Sequence, residues 1–166
     1  MAIMKQLIIM RHGKSSWAEP GQLDFDRPLK NRGMKDATFV AAELVKNGIQ
    51  PDRIISSPAN RAKSTAILVA KGFDYPVKNV AFEQIIYGAG LYDILKLVAQ
   101  TPDSANTIML FGHNPTFTDV ANHFGIPMFN LPTCGCVGFD LDIQQWKHVS
   151  TASVSDSFQI IPSEIR

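Results

Sequence analysis

Short apolar runs that end in polar clusters alternate along this chain with segments of helix length, and this alternation constrains the fold most. The first run, residues 7–10, is continuous and rich in β-branched residues, and the sequence Arg-His-Gly follows it directly. Such a run is typical of a parallel strand that is buried on both faces. Strands that alternate with helices indicate an α/β protein with a mostly parallel central sheet.

The same patterns place the remaining elements. Ser57-Pro58 and Asn114-Pro115 each predict a helix start, because Ser or Asn can cap a helix and Pro suits its first position. Gly48 stands where the first helix should end. Strands are predicted at 53–56, 77–82 and 107–111, helices at 31–47, 58–71 with a stop at Gly72, 91–99 and 114–125, and extended segments at 137–143, 145–149 and 158–161. We expect the extended segments near the C-terminus to be antiparallel edge strands.

Composition excludes several classes of protein. The 166 residues fit one domain over 1–166, since a domain of roughly 150 residues is ordinary. Hydrophobic residues make up 45% and charged residues 19%, as in globular proteins. The net charge of +1 lacks the basic excess of a nucleic-acid or membrane-surface binder. The longest unbroken apolar run, residues 66–70, is far shorter than the ~20 residues that a membrane-spanning helix needs.

The two cysteines favour a reducing, cytoplasmic setting. Cys134 and Cys136 are one residue apart, and cysteines that close together rarely form a disulfide. A zinc site needs about four ligands. The two histidines that could complete one have a more specific interpretation, given below, so we predict no metal site.

Side chains that can bind an anion follow three of the predicted strands. Arg11, His12 and Gly13 come directly after the first strand, Arg61 lies about one turn into the helix after the second, and His113 follows the fourth. In open α/β sheets, ligands bind beyond the carboxyl ends of the strands. We therefore expect two arginines and two histidines at one rim of the sheet.

These residue types suit a phosphoryl group. Arginine can bind phosphate oxygens through two parallel hydrogen bonds, and helix N-termini favour anions. A neutral His12 imidazole can attack phosphorus and form a covalent phosphohistidine. Neighbouring arginine charges disfavour protonation of that ring and keep its lone pair free. Gly13 allows a ligand to approach the backbone closely.

At these residues the chain resembles the histidine phosphatase superfamily, also called phosphoglycerate mutase-like proteins. The sequence RHG at 11–13 is similar to the superfamily's signature, and SSPANRAKSTA at 56–66 to the block that carries its second arginine. GHNP at 112–115 is similar to the block with its second histidine. The blocks occur in the superfamily's order. The short chain and the sequence DRPL at 26–29 most resemble the SixA-type phosphohistidine phosphatases.

This resemblance implies a three-layer α/β/α sandwich around a mostly parallel sheet. It implies that His12 is the nucleophile and that Arg11, Arg61 and His113 bind the phosphoryl group. It also implies that Arg27 contacts the phosphate or the phosphorylated residue. No metal or other cofactor enters this scheme.

One segment departs from the superfamily's pattern. Phosphomonoesterases of the superfamily usually carry a carboxylic acid in the stretch that corresponds to residues 82–90, and Gly88 or a neighbour falls at its place here. Glu83 is the only carboxylate in that stretch. Asp24 and Asp26 are further candidates, and they lie in a long loop that the sequence predicts at residues 13–28. An alkoxide leaving group needs a general acid. The P–N bond of phosphohistidine is more labile, so the departure favours P–N substrates.

We therefore predict a metal-independent phosphatase that acts on phosphohistidine in a protein. Two alternatives stay open: a small-molecule phosphomonoesterase that uses Glu83 or a loop aspartate as its acid, and a non-catalytic module that binds phosphohistidine. Trp17, in the long loop, either lines the mouth of the site for a protein substrate or packs. The sequence leaves the physiological substrate and the oligomeric state open.

Overall fold

The first apolar run forms a central strand of a six-stranded sheet in the computed structural model, which describes residues 4–165. The strands are β1 (Lys5–Arg11), β2 (Arg53–Ser56), β3 (Ala81–Phe82), β4 (Thr107–Gly112), β5 (Cys136–Leu141) and β6 (Val154–Ile160). The helices are α1 (Asn31–Lys46), α2 (Asn60–Gly72), α3 (Leu91–Ala99), α4 (Thr116–His123) and the short α5 (Pro162–Ile165).

Four neighbouring strands of the six pair in parallel. The sheet has the order β3-β2-β4-β1-β5-β6, in which β3, β2, β4 and β1 are parallel and β5 and β6 add antiparallel pairs at one side. Residues 7–10 and 108–111 are fully buried. Their continuous apolar sequences follow from this position, because central parallel strands are covered on both faces. The predicted α/β fold with a mostly parallel sheet is confirmed.

Helices cover both faces of the sheet and give the predicted three layers. On one face Leu44 of α1 packs in a core with Met10, together with apolar residues of α2. On the other face Ile94 of α3 packs in a second core with Ile9, together with residues of α4. Ile9 and Met10 are consecutive in β1 and point to opposite faces, as the pleat of a strand requires.

Two predicted extended segments are wrong in part. Residues 145–149 belong to a 3-10 helix, Trp146–Thr151, because the buried Trp146 indole packs in the core and donates a hydrogen bond to the carbonyl of Ala105 at 2.7 Å. Residues 77–79 form a 3-10 turn after Pro76, and the strand at 77–82 shrinks to Ala81–Phe82. In both cases β-branched or aromatic residues gave a strand pattern that the turn and the core contacts override.

The predicted helix starts at 58 and 114 each lie two residues too early. α2 begins at Asn60, and the hydroxyl of Ser57 instead accepts a hydrogen bond from the Ala59 N–H at 3.2 Å, forming a turn before the helix. α4 begins at Thr116, and the Asn114 side chain accepts a hydrogen bond from the N–H of Thr118. The end of α1 is as predicted: Gly48 follows the last turn with a φ of 79°.

Gly33 lets the backbone of the long loop pack closely against the first turn of α1. A Cβ atom at this position would lie 2.5 Å from the carbonyl oxygen of Lys14 and 2.8 Å from its nitrogen. Both are backbone atoms, so the loop that starts at Gly13 would have to move. This contact fixes the segment that follows His12 along the chain.

We predict that Gly33→Ala lowers the free energy of unfolding by about 1–3 kcal/mol, because the added methyl group overpacks this contact. Helix propensity alone predicts the opposite sign, since Ala is favoured over Gly in a helix by about 1 kcal/mol. Urea denaturation measures the change. Thr38→Ala, on the exposed side of α1, is the control and should leave stability unchanged or slightly raised. A Gly33→Ala protein more stable than the wild type would contradict the assigned contact.

Candidate active site

The parallel pairing of β1 with β4 brings the two motif histidines together. Arg11 pairs with Gly112 in the ladder, and the N–H of His12 continues it by donating to the Gly112 carbonyl at 3.1 Å. His12 and His113 therefore leave neighbouring strands at the same level, with ring centroids 5.2 Å apart. This is the carboxyl edge of the sheet, where the sequence placed the site.

The predicted arginines reach the same place. A cavity of about 400 Å³ is lined by Arg11 from the end of β1, Arg61 from the first turn of α2 and Arg27 from the long loop, together with both histidines. Three guanidinium groups around one cavity make it strongly attractive to an anion. A larger cavity of about 610 Å³ lies elsewhere beside Asp103 and Asp142, whose negative charge disfavours anions.

Hydrogen bonds fix which nitrogen of His12 is free. Its Nδ1 lies 2.7 Å from the carbonyl oxygen of Gly13, so Nδ1 carries the proton and donates it. Its Nε2 then holds a lone pair, and the Nε–H of Arg61 donates to it at 3.3 Å. The lone pair therefore faces Arg61 and accepts this hydrogen bond, which has to open when Nε2 attacks phosphorus.

The site keeps both rings neutral. Burial lowers the pKa of His12 to about 3, against the opposing hydrogen bond to Gly13, and the charges of His113, Arg61 and Arg11 add to the lowering. Burial likewise lowers the pKa of His113 to about 4, and the positive charge of Arg61 acts in the same direction. A neutral imidazole keeps the lone pair that a nucleophile needs.

Ser57 holds the second histidine. The Ser57 hydroxyl lies 2.8 Å from Nε2 of His113 and is fully buried. Within residues 4–165, the buried Nδ1 of His113 has no hydrogen-bond partner, and neither has the buried Nε of Arg11. Two buried polar atoms in one anion cavity can be satisfied by an anionic ligand.

Asp24 connects the arginines to a tyrosine. Its carboxylate accepts hydrogen bonds from Arg61 at 2.9 Å, from Arg27 at 3.1 Å and from the Tyr87 hydroxyl at 2.8 Å. Burial alone would raise the pKa of Asp24, but these three donors prevail and lower it to about 2. The hydrogen bond to Asp24 in turn raises the pKa of Tyr87. Asp24 is therefore an ionised group that orients the guanidinium of Arg61.

Arg27 is held rigidly at the mouth of the cavity. Its guanidinium donates to the Ser15 hydroxyl at 2.7 Å and to the Ser16 carbonyl at 3.1 Å, in addition to Asp24. It also stacks on Trp17, with the guanidinium carbon 3.2 Å from the ring centroid. Arg27 lines the same cavity as the motif residues.

Gly13 is tied to the helix that carries Arg61. Its N–H donates to the Thr65 hydroxyl at 2.9 Å, and that hydroxyl donates to the Arg61 carbonyl at 2.7 Å. A Cβ atom on Gly13 would lie 2.9 Å from the carbonyl oxygen of Gly33. Glycine at this position therefore serves close packing with α1 as well as leaving room beside His12.

The structure does not bring Glu83 into the site. Glu83 lines a separate surface cavity with Asp93 and Lys96 beside α3. Its backbone follows β3, where its N–H donates to the Ser56 carbonyl. Gly88, at the place where related phosphomonoesterases carry their acid, is exposed with a φ of 86°. Asp24 and Asp26 are both exposed on the long loop, and Asp24 is the predicted acid candidate whose carboxylate contacts Arg61.

Residues 4–165 contain neither a metal-binding cluster nor a helix that could span a membrane. This part of the chain holds no group of three or more His, Cys, Asp or Glu side chains arranged to bind a metal ion. None of the helices described here has the length and apolar character to cross a membrane. Cys134 and Cys136 are buried free thiols, and burial raises the pKa of both.

Several side chains of the site were not predicted. The sequence predicts Ser57 only as a helix cap, and Tyr87 has no local signal, since it lies 63 residues from Asp24 along the chain. Lys14 and Lys30 also line the cavity. One available signal was the spacing of Asp24 and Arg27, which form an i,i+3 ion pair.

Comparisons with known proteins agree with this arrangement. Residues 7–82 match the histidine phosphatase superfamily (branch 1). An uncharacterised chloroplast protein of Arabidopsis thaliana is 30% identical over 161 residues, which cover 92% of this chain and 73% of the relative. The crystal structure of a candidate phosphohistidine phosphatase SixA from Agrobacterium tumefaciens has a TM-score of 0.76 and 26% identity, over 93% of this chain and 97% of that one.

A further solved structure shares the fold. The protein histidine phosphatase SixA complexed with tungstate has a TM-score of 0.80 and 21% identity, over 97% of this chain and 99% of that one. Fold and site together define a phosphatase with a phosphoglycerate mutase-like α/β sandwich. The chain belongs to the histidine phosphatase superfamily.

We predict that acid destabilises the protein through its two buried histidines. Their folded-state pKa values, about 3 and about 4, lie below the ordinary 6.5, so the unfolded chain binds more protons as pH falls below 6.5. The free energy of unfolding should therefore fall between pH 6.5 and 4.5, by at most about 1.4 kcal/mol per pH unit for each histidine.

Urea denaturation across that pH range checks this prediction. His12→Gln removes one of the two groups, so the slope of stability against pH should be about half that of the wild type. Asp24 stays ionised over this range in the folded protein, because its pKa is about 2. Equal slopes in the two proteins would show that His12 is not held neutral by the fold.

Proposed function

We propose that this protein is a phosphohistidine phosphatase that removes the phosphoryl group from a histidine of a protein through a covalent phospho-His12 intermediate. The likeness to SixA structures supports this choice within the superfamily. The observation that carries it is that the Asp24 carboxylate accepts hydrogen bonds from Arg61, Arg27 and Tyr87, as argued below. One domain carries the whole site.

In the first step the lone pair on Nε2 of His12 attacks phosphorus. The P–Nε2 bond forms while the P–N bond to the substrate histidine breaks, and its electrons return to the substrate ring. Positive charge develops on His12, and the Gly13 carbonyl stabilises it through the 2.7 Å hydrogen bond to Nδ1. The neutral ring that the fold maintains is therefore ready to attack.

The phosphoryl oxygens are held by groups from three elements. Arg11 and Arg61 supply positive charge, and the Nδ1–H of His113 supplies a further donor. Phosphoryl transfer depends mainly on such positioning and charge neutralisation. Arg27 binds the phosphate or the phosphorylated residue at the mouth.

The leaving group explains the choice of a P–N substrate. Asp24 is the carboxyl group in contact with the site, and its three donors keep it ionised, with a pKa of about 2. An ionised carboxylate has no proton to give to an alkoxide. A phosphohistidine ring that is protonated on its other nitrogen leaves as neutral imidazole and needs no general acid.

In the second step water attacks the phosphorus of phospho-His12. The P–Nε2 bond breaks, the electrons return to Nε2, and His12 is restored with its proton still on Nδ1. The water's proton passes to the released phosphate or to solvent. Substrate and product carry no metal in this scheme.

The partner in this proposal is a phosphorylated protein, and neither a nucleic acid nor a membrane takes part. A cytoplasmic setting belongs to the same proposal. The buried free thiols of Cys134 and Cys136 suit a reducing compartment.

The proposal is tested with two peptides of one sequence, one phosphorylated on histidine and the other on serine at the same position. We expect kcat/KM to favour the phosphohistidine peptide by at least about 10²-fold, the scale that general acid catalysis contributes. His12→Ala should lower turnover by at least about 10³-fold while the protein stays folded.

The other outcomes decide against the proposal. A preference for the phosphoserine peptide or for a small phosphate ester would assign the protein to the phosphomonoesterases and require an acid that the apo geometry does not present. Tight binding of the phosphohistidine peptide without turnover would indicate a binding module.

We also predict that Ser57 sets the tautomer of His113. If the Ser57 hydroxyl donates to Nε2, the proton of the neutral ring lies on Nδ1 and can be donated to a phosphoryl oxygen. Ser57→Ala removes that bias, so kcat should fall about tenfold or more, as for other losses of a transition-state donor. Nitrogen NMR of His113 should show a shift away from the Nδ1–H form.

Two matched variants control this experiment. Ser57→Thr keeps the hydroxyl and should restore most of the activity. Ser56→Ala removes a neighbouring buried hydroxyl that donates to the Ser57 carbonyl, and it should leave the NMR signals of His113 unchanged. An unchanged tautomer in Ser57→Ala would contradict the role of Ser57.

A further inference from the structure

Two lysines lie side by side at the mouth of the cavity. The N–H of Lys30 donates to the carbonyl of Lys14 at 2.8 Å, and Ser15 and Leu29 form the adjacent antiparallel bridge. Both lysine side chains are exposed and line the same cavity as His12. The contact of Gly33 with the Lys14 backbone fixes this pair of segments against α1. The backbones that carry the two lysines are therefore held together at the mouth of the cavity.

Neither lysine side chain stabilises the fold through an ion pair within residues 4–165. Among residues 4–165, no carboxylate lies within 4.0 Å of either ammonium group, and the ion pairs of this region use arginines. Lys30 directly precedes the first residue of α1. A cation there is unfavourable, because the helix dipole places partial positive charge at that end.

The phosphoryl group does not need these charges. Its negative charge can be matched by Arg11 and Arg61 inside the cavity, with Arg27 beside them. Lys14 and Lys30 add two further positive charges at the mouth, although the net charge of the whole chain is only +1. This surplus fits a substrate that carries negative charge next to its phosphoryl group.

Apolar side chains on the same loop indicate that the substrate is a polypeptide. Trp17 lines the cavity and is 73% exposed, with Arg27 stacked on its ring. Leu23 is 70% exposed on the same loop. Exposed large apolar residues next to a charged cavity are typical of a surface that contacts another protein.

We propose that Lys14, Lys30 and Trp17, here called the basic lip, form a docking subsite for an acidic segment next to the phosphorylated histidine of the substrate protein. The inference rests on the proposed phosphohistidine phosphatase activity and adds the sequence that the site recognises. Carboxylates of the segment contact the two ammonium groups, and an apolar side chain covers the Trp17 ring.

The experiment uses two phosphohistidine peptides of equal length, one with glutamates and one with glutamines beside the phosphorylated residue. We expect the wild type to have about a tenfold lower KM for the glutamate peptide and a similar kcat, because the lip contacts substrate away from the reacting atoms. The preference should shrink at high ionic strength, since exposed charges are screened.

The test variant is the double substitution Lys14→Gln and Lys30→Gln. It should lose the preference for the glutamate peptide, while its midpoint of thermal unfolding stays as in the wild type and shows that the fold is intact. The control is Lys35→Gln and Lys46→Gln, two exposed positions elsewhere on α1. The control has the same change in net charge and should keep the preference.

The experiment distinguishes a failure of the basic lip from a failure of the proposed function. Equal KM values for both peptides in the wild type, or a preference that survives in the Lys14/Lys30 double variant, would overturn the basic lip alone. If the wild type hydrolyses neither peptide, the proposed function is wrong and the basic lip fails with it.

Discussion

The parallel pairing of β1 with β4 is the constraint on which the site depends. It sets the two histidines at one level of one sheet edge, with His12 directly after β1 and His113 directly after β4. Both strands are fully buried over four apolar residues each, so a slip in register would expose core side chains as well as separate the rings. The same interactions that stabilise the core therefore position the chemistry, and the loops add only the groups around it.

Around this edge of the sheet, positive charge and burial both lower the pKa values of the two histidines. Burial and the charges of Arg11 and Arg61 keep both rings neutral, and a neutral ring is the form that can attack phosphorus. Asp24 offsets part of the charge of Arg61 and Arg27, and Tyr87 completes its hydrogen bonds from the far side. An anionic phosphoryl group would enter an already ordered set of donors, so little reorganisation accompanies binding.

Much of this arrangement could be predicted from the sequence, because it is coded locally. The strand of residues 7–10, the motif residues at three strand ends and the end of α1 at Gly48 all follow from short patterns. The contacts of Tyr87 with Asp24 and of Ser57 with His113 join residues more than 50 positions apart, and no local pattern reports them. The strand predicted around Trp146 was wrong for the same reason, because burial in the core and not β-propensity decides the conformation of this segment. Glu83 matched the expected acid by residue type, but the chain after β3 directs it to another cavity.

The central claim is that the phosphoryl group passes through His12, and trapping that intermediate tests it most directly. The protein would be mixed with a phosphohistidine peptide, quenched in base within the first turnover, and analysed by peptide mass spectrometry and phosphorus NMR. We predict one phosphoryl group per chain on Nε2 of His12, stable in base and lost in acid, that appears and decays with rates matching turnover. Turnover without any phosphorylated His12, or with the phosphoryl group on another residue, would contradict the account.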